Sequence, residues 1–452
     1  MKYIRTYETE EKFLTDKDST SRGLRLKPTL YRHTDVDNGI YLETDSPRKH
    51  GDSTYMEITL DSDTEFSFYI GNAPDDTQTT MTCTVDWGDG TVETKTITKD
   101  DKGFKLAHNY TTGSYKIELY GVEREYGIPG DTTNYTSYIS PLHSSVKRIV
   151  LSNSVVDIGA SAFNECKSLI SVYIPESVTN IGDLAFVDCI SLTSINIPNS
   201  VTNIGERVFV GCTGLTSVNI PESITSIGDL AFSGFTGLTS VYIPGSVNSI
   251  EYAAFFLCTS LTSINIPEGV TSIGQYAFQG CESLTSINIP EGVTSIGGYA
   301  FCACSILTSV YIPGSVNSIG EAAFYNCPSL TTINIPEGIV NIGERTFAVC
   351  YSLTSINIPE SVTTIGDDAF HDCTSLTSIN IPGGVNSIGE AAFFGCTSLN
   401  SISSLNTTAP TLGSRVFNNI PKNGTLHIKP GATGYDAWLS KLPSGWTIVE
   451  DL

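Results

Sequence analysis

Positive charge is scarce in this chain: 25 Lys and Arg stand against 48 Asp and Glu in 452 residues, for a formal net charge of −23. A field of that sign repels phosphate backbones and anionic headgroups, which excludes nucleic acid and anionic membrane as expected partners. No apolar run reaches the roughly 18 residues that a membrane-spanning helix needs. The opening MKYIRTYETEEKFLTDKD has no apolar core of the kind a secretion signal carries. The sequence as it stands predicts neither membrane insertion nor export through such a signal, and Met1 argues against one removed earlier. Motifs that carry chemistry are also missing. There is no H-E-x-x-H, no G-x-S-x-G elbow and no phosphate loop ending in G-K-[ST]. The six histidines, His33, His50, His108, His143, His371 and His427, are scattered, and none has a paired ligand at metal-site spacing. The expectation is a non-enzymatic protein with no cofactor and no metal site.

What is present is repetition. Pro175, Pro198, Pro221, Pro244, Pro267, Pro290, Pro313, Pro336, Pro359 and Pro382 stand 23 residues apart without a slip. A chain this long is too large for one ordinary core, and the repeat decides for an array whose core grows lengthwise. In SLTSINIPNSVTNIGERVFVGCTG, Leu192, Ile195 and Ile197 form the L-x-x-I-x-I pattern of a short strand with alternate residues inward. Proline lacks an N–H and ends the ladder at the same place in each coil. Val201, Ile204, Val208, Phe209 and Cys212 supply the rest of the interior. Gly205 is expected at a turn needing positive φ, and Glu251 breaks that glycine column, so one turn should differ.

Stacking places like on like. Phe163, Phe186, Phe209, Phe232, Phe255, Phe278, Phe301, Phe324, Phe347, Phe370 and Phe393 should form an aromatic spine. Ten of the twelve cysteines share one column: Cys166, Cys189, Cys212, Cys258, Cys281, Cys304, Cys327, Cys350, Cys373 and Cys396. Phe235 fills that slot in another coil, so the slot reads as apolar and the cysteines as reduced core thiols rather than bridges or a metal ladder. At about 4.8 Å per coil the array should span roughly 50 Å.

The pattern I-P-x-x-V-x-x-I-G-x-x-A-F-x-x-C-x-x-L-x-x-I-x-I-P resembles the BspA-like, Treponema-type leucine-rich repeat family over about 146–404. That resemblance implies a surface adhesin or interaction protein that binds proteins or host surfaces, with no catalytic residue to carry over. The predicted fold is mainly β: a leucine-rich-repeat solenoid of 23-residue coils with an N-terminal immunoglobulin-like β-sandwich. The pattern decays through SISSLNTTAPTLGSRVFNNIP, and residues 405–452, which include GTLHIKPGATGYDAWLSKLPSGW, read as a C-terminal cap with one more strand and a short Trp-bearing helix.

Residues 1–50 are polar and read as an arm or attachment segment. Over 51–145, YMEITL, FSFYI, MTCTVDWGDGTVETKTI and GSYKIELYGV alternate apolar and polar residues between turn dipeptides. Val85-Asp86-Trp87-Gly88-Asp89-Gly90-Thr91 with His108-Asn109-Tyr110 resembles the PKD-type immunoglobulin-like module, which implies a hairpin at the W-G-D-G-T turn and a Tyr in the core. Asp86 and Asp89 read either as turn residues bonding their own backbone or as calcium ligands.

Between 151 and 400, 20 acids face only Lys167, Arg207 and Arg345, and Glu268, Glu291 and Glu337 recur just after proline as a solvated edge. A glycosidase pair must converge on one cleft, which such periodicity does not supply. The candidate ligand-binding residues lie on the outward strand face, beside a serine column: Tyr173, Asn196, Asn219, Tyr242, Asn265, Asn288, Tyr311, Asn334, Asn357 and Asn380. Tyr returns every third coil, and PGSVNSI follows both Tyr242 and Tyr311, which points to duplication of a three-coil block. Two readings stand: stacked amides bonding coil to coil, or spaced tyrosines holding a glycan or extended peptide.

Together these features suggest a recognition protein. The opening MKYIRTYETEEKF resembles structural proteins of tailed phages of gut Bacteroides-type hosts. That resemblance implies a fibre or decoration protein on the virion surface, assembled in the host cytoplasm where thiols stay reduced, and joined to other virion proteins through residues 1–50. The alternative is a bacterial cell-surface BspA-like adhesin. In either case the expected partner is a protein or glycan on a host or bacterial surface.

Overall fold

The computed structural model describes residues 53–60, 64–70, 80–98, 104–120, 124–126, 145–153 and 155–452; the expected arm over 1–50 lies outside them. One coil shows how the repeat closes. Ser263–Asn265 forms a short strand, Pro267 opens a turn whose carbonyl accepts the Val270 N–H at 3.0 Å, and Ser272–Ile273 forms a second strand. A tight third side runs from Gln275 to Gly280. Leu261, Ile264, Ile266, Val270, Ile273, Ala277, Phe278 and Cys281 fill the interior and are all buried.

All three sides are laddered coil to coil. On the first, Ser240 pairs in parallel with Ser263, and Asn265 with Asn288. On the second, Ser249, Ser272, Ser295 and Ser318 pair in series. On the third, the N–H groups of Tyr276, Phe278 and Gly280 donate to the carbonyls of Gly298, Ala300 and Cys302 at 2.8–2.9 Å. That third ladder depends on left-handed residues. Leu184, Arg207, Leu230, Ala253, Tyr276, Tyr299, Ala322, Arg345, Asp368 and Ala391 all hold φ between 52° and 60°. Such residues ordinarily cost energy; here the conformation turns their N–H groups along the solenoid axis into the next coil.

The glycine column has a different cause from the one expected. Gly182, Gly205, Gly274, Gly297, Gly320, Gly366 and Gly389 are absent from the positive-φ residues. A Cβ at Gly320 would instead lie 2.3 Å from the Gly298 nitrogen, and one at Gly297 would lie 2.4 Å from the Gln275 nitrogen. Glycine is needed because neighbouring coils touch backbone to backbone. Glu251 is the exception in this column, and its N–H still reaches the Ile227 carbonyl at 2.9 Å.

Spacing is not uniform along the stack. Phenylalanine centroids lie 5.3–5.4 Å apart from Phe232 to Phe324. They lie 5.9 and 6.0 Å apart on the two sides of Phe209, and 5.8 Å apart between Phe324 and Phe347. The second-side ladder stops at two of these junctions, Ile204 to Ile227 and Ile319 to Ile342. The sequence explains both. Val208 and Thr346 replace the alanine that precedes Phe in most coils, and Ile224 and Ile339 replace valine. The larger side chains wedge the coils apart.

The cysteine column is a row of weak donors. Cys189 Sγ donates to the Phe163 carbonyl at 3.2 Å, Cys212 to Phe186 at 3.0 Å, and Cys396 to Phe370 at 3.2 Å. Each thiol is buried and free. Burial pushes Cys166, Cys212, Cys258, Cys350 and Cys396 up to about 12.

Both ends of the stack are covered. β1 (Ser53–Leu60) pairs antiparallel with β6 (Gly113–Tyr120) on one side and with β8 (Val146–Val150) on the other. β8 in turn pairs in parallel with β10 (Ser171–Tyr173), so one sheet runs through the expected boundary at 145/146. β3 (Thr80–Asp86) and β4 (Val92–Thr98) extend it outward, while β2 (Thr64–Ile70) and β5 (Phe104–Tyr110) form a separate pair. β7 (Arg124–Tyr126) lies parallel to β9 (Val155–Ile158) and closes the second side. At the far end, Gly424–Ile428 and Trp446–Glu450 add two parallel strands. Helix α1 (Asp436–Leu439) places Trp438 against Phe417 at 5.6 Å, so the indole ends the phenylalanine column, and its N–H donates to the Pro410 carbonyl at 3.0 Å. Asn406, within an N-x-T sequon, is buried and donates to the Gly383 and Val385 carbonyls.

Two outcomes follow from this packing. Gly320→Ala forces a backbone clash and should lower unfolding free energy by about 2 kcal/mol or more. Gly228→Ala, in the same column but at a wide junction where the nearest atom is Ile204 O at 3.9 Å, should change it by less than about 0.5 kcal/mol; urea unfolding of the two variants reads the difference. The second concerns the thiols, whose native pKa lies above the reference value of 9.0. The folded state holds the proton more tightly, so this contribution is complete below about pH 9 and is lost as pH rises toward about 12. Denaturation midpoints should fall across that window, and a thiol reagent at about pH 8, below the reference thiol range, should label the column only after unfolding.

Candidate functional site

The strand face on the first side is polar and uncharged. Outward residues read Thr, Ser, then Asn or Tyr in most coils, and the threonines form their own ladder: Thr239 Oγ1 donates to Thr216 O at 3.1 Å, and Thr262 Oγ1 to Thr239 O at 3.0 Å. Tyr242 and Tyr311 project from it, 62% and 59% exposed, with Tyr173 at 40%. Asn265 and Asn288 lie between Tyr242 and Tyr311 in direct register.

The structure divides the asparagines by role. Asn219 Nδ2 donates to the Ile197 carbonyl at 2.8 Å while its Oδ1 accepts the Ile197 N–H at 3.1 Å. Asn334 does the same with Ile312, at 2.6 and 2.8 Å. Each reaches back across one of the two junctions where the second-side ladder stops, and there a side-chain amide stands in for the backbone pairing. The other asparagines of the column, Asn196, Asn265, Asn288, Asn357 and Asn380, are exposed and make no such bond. The column is therefore not a continuous amide ladder.

Carboxylates missed as structural elements serve the coil edge. Asp183 Oδ1 accepts the Glu206 N–H at 2.8 Å, Asp229 accepts that of Tyr252 at 3.0 Å, and Asp367 that of Glu390 at 2.7 Å. The signal for them is an acid directly after the column glycine. At the N-terminal hairpin, Asp86 accepts the Gly88 N–H at 3.0 Å, and Asp89 accepts that of Thr91 at 2.9 Å and meets His108 Nε2 at 2.7 Å. His108 stacks on buried Trp87 at 5.1 Å, and the Tyr110 hydroxyl donates to the Trp87 carbonyl at 2.8 Å. These are turn and packing bonds. Among the described residues no three His, Cys, Asp or Glu gather as a metal site, and no helix is long and apolar enough to cross a membrane.

Residues 142–261, 248–377 and 363–433 match the sequence model of the BspA type leucine rich repeat region. The chain belongs to this family. Among solved structures, a leucine-rich repeat protein of Bacteroides ovatus is 25% identical over 86% of this chain and 99% of its own, with a TM-score of 0.61. A leucine rich cell surface protein of Faecalibacterium prausnitzii is 37% identical over 63% of this chain and 84% of its own, with a TM-score of 0.44. No curated protein matches the chain. The Bacteroides ovatus match covers more of the chain than the BspA-type repeats and C-terminal cap comprise, so it reaches into the residues before Val146.

The division among asparagines is measurable. Asn334→Ala leaves the Ile312 N–H and carbonyl unpaired and should cost about 1–3 kcal/mol, whereas Asn288→Ala should change stability by less than about 0.5 kcal/mol. Thermal melts of both variants decide it; equal losses would restore the ladder reading for the whole column.

Proposed function

We propose that this BspA-type repeat protein is a non-enzymatic bacterial cell-surface adhesin that binds a protein or glycan on a host or neighbouring cell through the strand face. The observation that carries this is the pair Tyr242 and Tyr311, exposed three coils apart on an uncharged, hydrogen-bonded platform. Tyrosine offers wide contact area with few rotamers to freeze, and a ladder-fixed platform loses little entropy on binding. The spaced residues suit an extended ligand, with Asn196, Asn265, Asn288, Asn357 and Asn380 exposed to bond its polar groups. Family membership favours this reading over a phage particle. The strands between Ser53 and Tyr120 read as an immunoglobulin-like spacer that holds the array off its attachment point.

The test is binding of the fluorescently labelled full chain to intact bacterial and epithelial cells, read by flow cytometry. The double variant Tyr242→Ser, Tyr311→Ser should lose at least about tenfold in apparent affinity, as loss of two interface anchors does, while its circular dichroism stays unchanged. Undiminished binding by that variant removes the strand face from the function.

A further inference from the structure

The position after the column phenylalanine varies from coil to coil, and over three adjacent coils its residues, Ser233, Phe256 and Gln279, line one place on the third side of the stack. Ala253 is small between Leu230 and Tyr276, and an open hollow of about 360 Å³ lies there, lined by Arg207, Ser233 and Gln279 among others. One group in it lacks the partner such groups find elsewhere. Of the three cations between 151 and 400, Lys167 pairs with Glu165 at 3.6 Å and Arg345 with Glu344 at 2.8 Å, but among the described residues Arg207 has no carboxylate within ion-pair reach. The neighbouring Asp229 is already turned onto the Tyr252 N–H. The walls are aromatic: Tyr252 meets Tyr276 edge-on at 5.5 Å and 81°, and Tyr276 is held from behind by Tyr299 at 5.1 Å.

We propose that this hollow binds an acidic sugar unit, a pyranose ring bearing a carboxylate. The carboxylate pairs with Arg207, the C–H face of the ring lies on the corner made by Tyr252 and Tyr276, and a ring hydroxyl meets the Ser233 hydroxyl. One guanidinium in a chain of net charge −23 suits a single carboxylate and not a polyanion. The size fits one ring rather than a folded partner. The site is separate from the Tyr242 and Tyr311 face, so each stands or falls alone.

The test uses the full chain and saturation-transfer NMR with glucuronic acid, N-acetylneuraminic acid and, as neutral control, glucose. At least one acid should bind about ten times more tightly than glucose and weaken as salt is raised, as a charge-assisted contact does, and whichever acid binds names the source. Arg207→Ala should lower that affinity about tenfold for loss of the same contact; alanine already holds the same left-handed backbone at Ala253, Ala322 and Ala391, so the variant folds. Tyr276→Ala should lower affinity for acid and glucose alike, while Tyr242→Ser should leave both unchanged. Failure of both acids to bind, parity with glucose, or full affinity in Arg207→Ala overturns the assignment.

Discussion

Everything in this protein depends on hydrogen bonds that run along the axis from each coil to the next. Three ladders share that task, and they require the backbones of successive coils to come closer than a side chain allows at one point in most turns. The glycine column exists for that contact, and the left-handed residues on the third side exist to aim N–H groups along the same axis. Packing of leucine, isoleucine and phenylalanine contributes most of the apolar burial, but the axial bonds set the register in which that burial can occur.

Register explains why identical residues behave differently. Asn219 and Asn265 share a sequence position, yet only Asn219 bonds across to the previous coil. The cause lies outside the strand: Val208, directly before Phe209, together with Ile224 widens that junction, and the amide spans the space. Side-chain volume in the core is thereby converted into a difference on the surface.

Much of this was legible in the sequence and some was not. The proline, phenylalanine and cysteine columns announce themselves because one residue type answers one physical demand in nearly every coil. The left-handed column does not, since Ser161, Leu184, Arg207, Tyr276 and Asp368 occupy it indifferently and the demand falls on the backbone alone. The glycine column was visible but its reason was not: a tight turn and a close approach leave the same letter. The hollow beside Arg207 leaves no mark in the sequence, because the position after phenylalanine varies along the whole stack, and nothing but the fold reveals that Ser233, Phe256 and Gln279 line one place.

The uniform 23-residue period also bears on how such a chain changes length. An insertion or loss of whole coils leaves every ladder in phase, every column continuous and both covered ends in place. Any other insertion must be absorbed locally, as in the last coil, where Phe417 follows Phe393 by 24 residues and the ring spacing rises to 6.0 Å. Copy number is thus nearly neutral for folding while it sets reach, and a further block of the three-coil spacing that separates Tyr242 from Tyr311 would lengthen the molecule and add a tyrosine together.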